Sequence, residues 1–184
     1  MPDAAGLELI RAEVNDRHPE AILDTAFDRG GATLVADPEK VLEVLSWLRD
    51  TPGQEYRFLS SLHAADYLPA QPRFGVHYEL LNRERVERVR VRAPIDEPGA
   101  SSAPRPGAPG SQAGLPVIPS CVSLFPTAEF PEREAFDFFG IVFRGHPDLR
   151  RILMPEDYVG WPQRRDFPVG GEPVHFTHND PARR

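Results

Sequence analysis

The sequence of 184 residues contains one cysteine, one lysine and no long apolar run. Because a disulfide needs two thiols, the single Cys121 excludes an internal disulfide framework and fits a reducing compartment. It also excludes a self-contained iron–sulfur cluster, since such clusters usually need four protein thiolates. No apolar run approaches the roughly 20 residues that span a bilayer, and the first residues lack the basic start and apolar core of a signal peptide. We therefore expect a soluble chain that meets a membrane only through partners.

The charge balance is acidic, and its basic part is almost entirely arginine. The formal net charge is −7 at pH 7. This argues against nucleic acid as a partner, because proteins that bind nucleic acid contact its phosphates with a basic surface. Lys40 is the only lysine. Arginine pairs bidentately with carboxylates and tolerates desolvation better than lysine, so an arginine-rich surface suits protein interfaces. A compositional bias of the genome explains the same excess, and composition leaves both explanations open.

Hydrophobic periodicity predicts helices and strands within the first 96 residues. Apolar side chains at helical spacing predict one helix before Pro19 and a second that starts at Asp37, a natural N-cap, and Pro38, a first-turn residue. A glycine turn at 28–31 separates the first two strands. The predicted strands cover residues 21–27, 32–36, 56–67, 74–81 and 86–91. This arrangement predicts an α+β fold, a two-layer domain with a mixed β-sheet and helices on one face, followed by an irregular C-terminal extension.

Residues 97–116 differ in kind from the rest of the chain, because sixteen of the twenty are Gly, Pro, Ser or Ala. Such a segment cannot bury enough surface to offset its ordering entropy, so we expect a flexible linker. This linker divides the chain into an N-terminal α+β domain at residues 1–96 and a signature segment at residues 117–184.

The signature segment is expected to hold a strand, a short helix and an extended tail. Residues 119–125 are predicted as a short strand that returns to the sheet. Thr127 can cap a helix that runs to Phe139, with Gly140 as its left-handed terminator. The tail beyond Gly140 has too little periodicity for a second core, so we expect it to lie along a neighbouring chain.

Two carboxylates and a histidine in this segment raise the question of catalysis. Glu132 and Glu134 would serve as an acid–base pair, but residues two apart on a helix point in different directions. Arg133 and Asp137, four apart, can pair on the helix surface. No second ligand at metal spacing stands near His146, which favours a structural turn histidine. Since no Rossmann or P-loop glycine pattern is present, we expect no catalytic, cofactor-binding or metal-binding residue on this chain.

The segment also resembles a known family. The runs Glu-Arg-Glu at 132–134, Phe-Gly-Ile at 139–141 and Gly-His-Pro-Asp-Leu-Arg-Arg-Ile-Leu at 145–153, with Asp137 and Phe143 between them, resemble the signature of the 30 kDa subunit family of respiratory complex I, also called its C subunit. Residues 160–168 are similar to the closing motif of that family, with arginine at position 165 where lysine is commoner, and residues 59–67 are similar to its middle motif. The resemblance covers roughly residues 55–93 and 117–176.

This resemblance implies a non-catalytic subunit in the peripheral arm of a proton-pumping NADH–quinone oxidoreductase, on the quinone-facing part of the arm. FMN, the iron–sulfur clusters and the quinone site would then belong to partner subunits, which this chain would hold at fixed distances. The complex oxidises NADH, reduces quinone and moves protons across the membrane. The chain would be peripheral, on the cytoplasmic side of the bacterial cell membrane.

The charged residues of the signature segment are then expected to orient partner subunits. The expected interface consists of Glu132, Arg133, Glu134, Asp137, His146, Asp148, Arg150, Arg151, Arg164, Arg165 and Asp166. Two alternatives stay open. One is the homologous subunit of a complex I-related membrane-bound hydrogenase or other dehydrogenase. The other, from a different class, is a free-standing acid–base enzyme that uses Glu132, Glu134 and His146.

Overall fold

The computed structural model describes residues 2–98 and 114–168. These residues form three α-helices and seven strands, together with 3-10 turns at Pro38–Lys40 and Pro126–Ala128. In chain order the elements are α1 (Ala4–Arg17), β1 (Ile22–Asp28), β2 (Gly31–Ala36), α2 (Val41–Asp50), β3 (Phe58–Asp66), β4 (Phe74–Asn82), β5 (Glu87–Ile95), β6 (Val117–Pro119), α3 (Glu129–Phe139) and β7 (Val142–Arg144).

Five strands form one mixed sheet in the order β1-β2-β5-β4-β3. The pair β2 and β5 is parallel and the other neighbours are antiparallel. One row of paired residues crosses four of these strands, and every side chain in it is buried: Leu34, Val91, Tyr78 and Leu62. Since side chains alternate between the faces of a strand, this row marks the face of the sheet that meets the core.

All three helices contribute to the hydrophobic core on that face. Helix α1 inserts apolar side chains such as Leu7 and Val14, and α2 inserts Val44 and Leu48. The predicted fold class is therefore confirmed: the protein is α+β, with a mixed sheet covered by helices on one face.

Local sequence explains the first half of the fold. Arg29 (φ 48°) and Gly30 (φ 75°) are both left-handed at the β1–β2 turn, the conformation of a tight hairpin that a glycine adopts without a steric penalty. Asp37 accepts a hydrogen bond from the Glu39 amide, which confirms it as a cap. The turn it caps is 3-10, and α2 follows from Val41.

Two predictions about the second half are wrong. The strand predicted at residues 119–125 does not return to the sheet, because β6 ends at Pro119 and pairs in parallel with β7 in a separate two-stranded sheet. Thr127 does not cap α3, since it lies in a 3-10 turn and the cap position of α3 is Ala128, without a side-chain hydrogen bond. Gly140 does end α3 in the left-handed conformation, at φ 71°.

The core continues across the predicted domain boundary. Ile118, Phe125, Ala135 and Phe143 belong to the same buried cluster as the residues of the sheet. Leu115 is buried as well. The predicted linker lies largely outside the described residues, as does the end of the signature segment beyond residue 168. The division at residues 97–116 stays a prediction, while the described parts on either side share one core.

Candidate functional site

Helix α3 uses two side chains to hold a segment without regular structure, the strap at residues 150–154. Arg133 donates to the carbonyl oxygens of Arg150 (3.2 Å) and Arg151 (3.0 Å). One carboxylate oxygen of Asp137, Oδ2, accepts the backbone N–H groups of the next three residues at 2.8–3.1 Å. Buried backbone groups need partners, and here side chains on one helix face supply them. The spacing allows Arg133 and Asp137 to pair with each other, but each binds the strap instead.

Arg151 carries this connection further along the chain. Its guanidinium donates to Oδ1 of Asp137 at 2.7 Å and to the carbonyl oxygens of Tyr158 and Gly160 at 3.1 and 2.8 Å. It also lies 4.7 Å from the centre of the Trp161 ring, a cation–π distance. One arginine therefore fixes the strap, the following turn and an aromatic ring relative to α3.

Trp161 packs against the end of α3 through Gly140. A Cβ atom at Gly140 would come within 2.5 Å of the indole, so this close approach requires glycine in addition to the left-handed turn. The indole also meets Phe136 edge-on, with ring centres 5.3 Å apart. Residue 140 thus ends the helix and makes room for the next part of the signature segment.

A buried ion network attaches the last described residues to the sheet. Arg73, 4% exposed, pairs with Asp66 (2.9 Å), Glu97 (2.7 Å) and Asp166 (2.6 Å). Arg164 donates to Glu97 (2.8 Å) and to the carbonyl oxygen at the end of α3 (2.7 Å). The end of β3, the start of β4, the region just after β5 and the signature segment therefore meet at one point.

Phe74 contacts both cations of this network. The guanidinium carbons of Arg73 and Arg164 lie 4.8 and 5.0 Å from the centre of its ring. Because the ring face is electron-rich, it attracts both cations. A planar guanidinium satisfies several carboxylates at once, which a lysine ammonium does less well.

The pKa values of Asp137 and Asp66 are lowered in these networks. Burial alone would raise the pKa of Asp137, but hydrogen bonds from the Met154 amide and from Arg151 outweigh it and hold the pKa below its usual value. The pKa of Asp66 is lowered in the same way, since hydrogen bonds from Arg73 and from the Leu68 and Arg165 amides together outweigh burial. Burial lowers the pKa of the Arg164 guanidinium, which Glu97 offsets in part.

Glu132 faces the interior of the protein. It is fully buried, and its two oxygens accept from the Ser120 hydroxyl (2.6 Å) and the Cys121 amide (2.8 Å). Burial raises its pKa, against the effect of these hydrogen bonds. The Tyr78 hydroxyl is buried without a hydrogen-bond partner among the described residues, and burial, with Cys121 and Glu132, raises its pKa. Glu132 thus ties the loop after β6 to α3.

The three residues of the alternative catalytic site are not joined by hydrogen bonds among the described residues. Glu132 is buried, Glu134 is exposed on another side of α3, and no hydrogen bond joins either to His146 among the described residues. Nδ1 of His146 accepts from the Asp148 amide (3.0 Å), so Nε2 carries the proton and donates to the Glu129 carbonyl oxygen (2.9 Å). The histidine has the structural turn role that the sequence favours.

The other expected interface residues lie at the surface or beside the networks. Asp148 and Arg150 form an exposed pair (2.8 Å). The Arg165 backbone amide donates to Asp66 (2.9 Å), while its side chain is exposed. Sequence reasoning missed Arg73 as the partner of Asp166, and Glu97 as the carboxylate that pairs with both Arg73 and Arg164. The available signal was a charged residue directly before the buried strand that starts at Phe74.

The described parts of the chain offer neither a metal cluster nor a membrane span. Residues 2–98 and 114–168 contain no group of three or more His, Cys, Asp or Glu side chains that could hold a metal ion. Within the same ranges, none of the helices has the length and apolar character needed to cross a membrane.

Comparison with known proteins identifies relatives over most of the chain. The family model described as respiratory-chain NADH dehydrogenase, 30 Kd subunit, matches residues 34–173. The C subunit of the NADH-quinone oxidoreductase of Roseiflexus sp. (strain RS-1) is 40% identical over 97% of this chain and 91% of its own length. The corresponding C subunit of Herpetosiphon aurantiacus is 42% identical over 83% of this chain and 80% of its own. A C subunit of Rhizobium etli is 35% identical over 89% and 78%.

Proposed function

Because the chain belongs to the 30 Kd subunit family of respiratory-chain NADH dehydrogenase, we propose that it is the C subunit of an NADH–quinone oxidoreductase and that its work there is structural. The relatives carry this name, which favours it over a hydrogenase subunit or a free-standing enzyme. Its partners are other subunits of that complex. In this proposal the chain lies in the quinone-facing part of the peripheral arm, on the cytoplasmic side of the membrane. FMN, iron–sulfur clusters and quinone are bound by its partners.

One observation carries the structural role: the buried charges of the signature segment bind groups of the same chain, within the segment and at the edge of the sheet. Arg133, Asp137, Arg151 and Arg164 bind backbone groups or carboxylates of the same chain. Removing one member of a buried pair strands the other charge, whereas replacing the whole pair by apolar residues is often tolerated. We therefore propose that these ion pairs specify the shape of a surface, and that other residues of the segment form the contact.

The contact is proposed to rest on apolar side chains that the segment leaves in solvent. Phe130 is 58% exposed, Leu153 61% and Val159 49%. Leu153 lies in the strap that Asp137 fixes, and Phe130 lies beside Arg133, whose guanidinium is 5.9 Å from the ring centre. Large apolar side chains held at a shaped surface are typical of protein contacts. The polar rim is supplied by exposed charged residues of the same segment: Glu134, Asp148, Arg150 and Arg165.

The test places a charge in the proposed contact and at a matched site elsewhere. Leu153→Asp is compared with Leu9→Asp, because Leu9 is 66% exposed and lies on α1, away from the strap. Each variant is expressed in cells that lack the native subunit, and the assembled oxidoreductase is measured on native gels together with NADH–quinone activity per assembled complex. We expect Leu153→Asp to reduce assembly by about tenfold or more, since a lost central contact costs upwards of about 1–2 kcal/mol.

The activity of each assembled complex should be unchanged in both variants, and Leu9→Asp should assemble as the wild type does. Normal assembly of Leu153→Asp with lost activity per complex would contradict the structural role. Absence of the wild-type chain from the purified oxidoreductase would contradict the proposed function as a whole.

A further inference from the structure

The sheet has a second face that the described helices leave open. Residues 2–98 and 114–168 place their three helices on the core side only. On the other face, Ser61, His63, Arg88 and Arg90 are exposed. Two rows of paired residues cross this outer face, and they consist of Thr33, Arg90, Glu79 and Ser61 in one and Val35, Arg92, His77 and His63 in the other.

The centre of the outer face is basic. Arg88, Arg90 and Arg92 alternate along β5, so all three point to this face. Glu79 is the only acidic side chain that strands β2 to β5 place there, and it pairs with Arg90. Arg88 and Arg92 have no acidic partner among the described residues. A basic patch of this kind runs against a net charge of −7 for the chain.

Arg92 is held in place by neighbouring side chains. Its guanidinium carbon lies 4.7 Å from the centre of the Tyr67 ring, and the Tyr67 hydroxyl is 2.8 Å from Nε2 of His77. His77 stacks on His63, with ring centres 5.0 Å apart. A Cβ atom at Gly75 would come within 3.0 Å of the Tyr67 ring and 3.4 Å of Nε of Arg92. Glycine at this position lets the cluster close against the strand.

The charge of this cluster comes from arginine. Burial, then the charges of His63, Arg90 and Arg92, lower the pKa of His77 to about 3, so His77 is neutral at physiological pH. Nε of Arg92 is buried without a partner among the described residues, and its terminal nitrogens make no hydrogen bond to them either. The exposed end of a fixed guanidinium presents two parallel N–H donors, the geometry that binds a carboxylate.

We propose that the outer face of β5, β4 and β3, centred on Arg88 and Arg92, is a second subunit interface that binds an acidic surface of another protein in the complex. This inference rests on the proposed function, since it requires that the chain work within an assembly. An arginine side chain fixed on a rigid strand loses little entropy on binding, which suits an interface anchor.

A folded protein partner is favoured over a lipid surface. A protein that lies on a membrane usually inserts large apolar side chains between basic ones. Strands β3 to β5 carry one exposed large apolar residue, Phe58, the first residue of β3, and the exposed Val86 lies directly before β5. Both lie at one end of the outer face, in or next to the row of paired residues that contains Arg88. The middle of the outer face is polar, and it matches a surface of carboxylates better than a bilayer.

The first experiment uses the near absence of lysine from the chain. Arg88→Lys introduces a single amine on the outer face, near the start of β5, while Lys40 lies outside the sheet, directly before α2. A carbodiimide joins an amine directly to a carboxylate in contact with it. Treating the assembled oxidoreductase and sequencing the products by mass spectrometry should give a cross-link from position 88 to an Asp or Glu of another subunit. Arg29→Lys, at a turn side chain that is 92% exposed, is the control and should give none.

The second experiment measures binding of the full-length chain to oxidoreductase that lacks it. Arg88→Glu should lower the affinity by about tenfold, with the loss growing at low salt, because charge pairs at an interface are screened by ions. Arg29→Glu makes the same change in net charge and should bind as the wild type. Thermal unfolding of both variants shows that the chain remains folded.

The outcomes separate this inference from the proposed function. If the wild-type chain assembles, but position 88 gives no cross-link and Arg88→Glu binds normally, the second interface is overturned and the proposed function stands. If Arg88→Glu instead abolishes binding to phosphatidylglycerol vesicles while assembly is unaffected, the face belongs to the membrane and the protein interface is likewise overturned. If the wild-type chain does not assemble at all, the proposed function fails first.

Discussion

Replacing Asp137 by Asn should release the strap from α3. The carboxylate accepts four hydrogen bonds at 2.7–3.1 Å, three from backbone amides and one from Arg151, and it is fully buried. An asparagine oxygen can replace the atom that accepts the three amides. Its NH₂ group then faces the Arg151 guanidinium, so two donors meet and the arginine loses its buried counter-charge.

The expected cost is about 3–5 kcal/mol, the usual penalty for stranding one member of a buried ion pair. It should appear as local opening, because the core of the sheet does not depend on the strap. Hydrogen exchange of the amides at 152–154 should therefore accelerate roughly a hundredfold or more, since each 1.4 kcal/mol is a factor of about ten. Asp148→Asn is the matched control: its pair with Arg150 is exposed, with side-chain exposures of 48% and 63%. Exposed pairs contribute at most about 1 kcal/mol.

The wild-type strap should also loosen in acid. The pKa of Asp137 is lowered from its ordinary value of 3.8 in the folded protein. The stability that this carboxylate contributes is therefore complete above that value and is lost as the pH falls through the folded-state pKa. Equal exchange rates in Asp137→Asn and Asp148→Asn, or unchanged exchange at 152–154 in the former, would refute the role assigned to Asp137.

Two further predictions concern the helix that anchors the strap. Gly140→Ala should lower the free energy of unfolding, measured in urea, by more than Gly145→Ala does. Both variants lose about 1–2 kcal/mol for placing a side chain in the left-handed conformation, but only at Gly140 would the Cβ come within 2.5 Å of Trp161. Equal losses would show that the indole moves freely. Glu132→Gln should reduce the dependence of stability on pH above 4.5, the ordinary pKa of glutamate. Because the pKa is raised, the folded protein binds more protons than the unfolded chain above pH 4.5, so wild-type stability falls as the pH rises through this range. Stability is measured by urea titration of both proteins from acidic to neutral pH. Parallel pH dependences in the two proteins would disprove the prediction.

The first half of the fold could be predicted from sequence because its signals are local. Apolar spacing, the Asp37 cap and the turn at Gly30 each act over a few residues, and all of them hold in the structure. The pairing of β6 with β7 could not be predicted in this way. Both strands are three residues long. They pair only because α3, which lies between them in the chain, brings β7 back next to β6.

The candidate site was predicted in its residues and missed in its contacts. Spacing placed Arg133 and Asp137 on one face of α3, where they can pair with each other. In the structure α3 packs against the strap, whose carbonyl and amide groups have no regular secondary structure to bind them. Arg133 and Asp137 bind these backbone groups and do not bind each other. Spacing within a helix shows which side chains are neighbours, but the choice of partner depends on what tertiary structure brings there. Arg73 was missed for the same reason, since two of its partners lie 24 and 93 residues away in the chain.

No helix or strand lies between residues 145 and 168, so this surface takes its shape from elements that must already be folded. Arg133 and Asp137 are in position only when α3 has formed, and Arg73 and Asp66 only when β3 and β4 have paired. Under the proposed function, a nascent or misfolded chain would then lack the surface that binds a partner. A neighbouring protein that binds the strap would also select a completed sheet and helix beneath it, which would act as quality control during assembly.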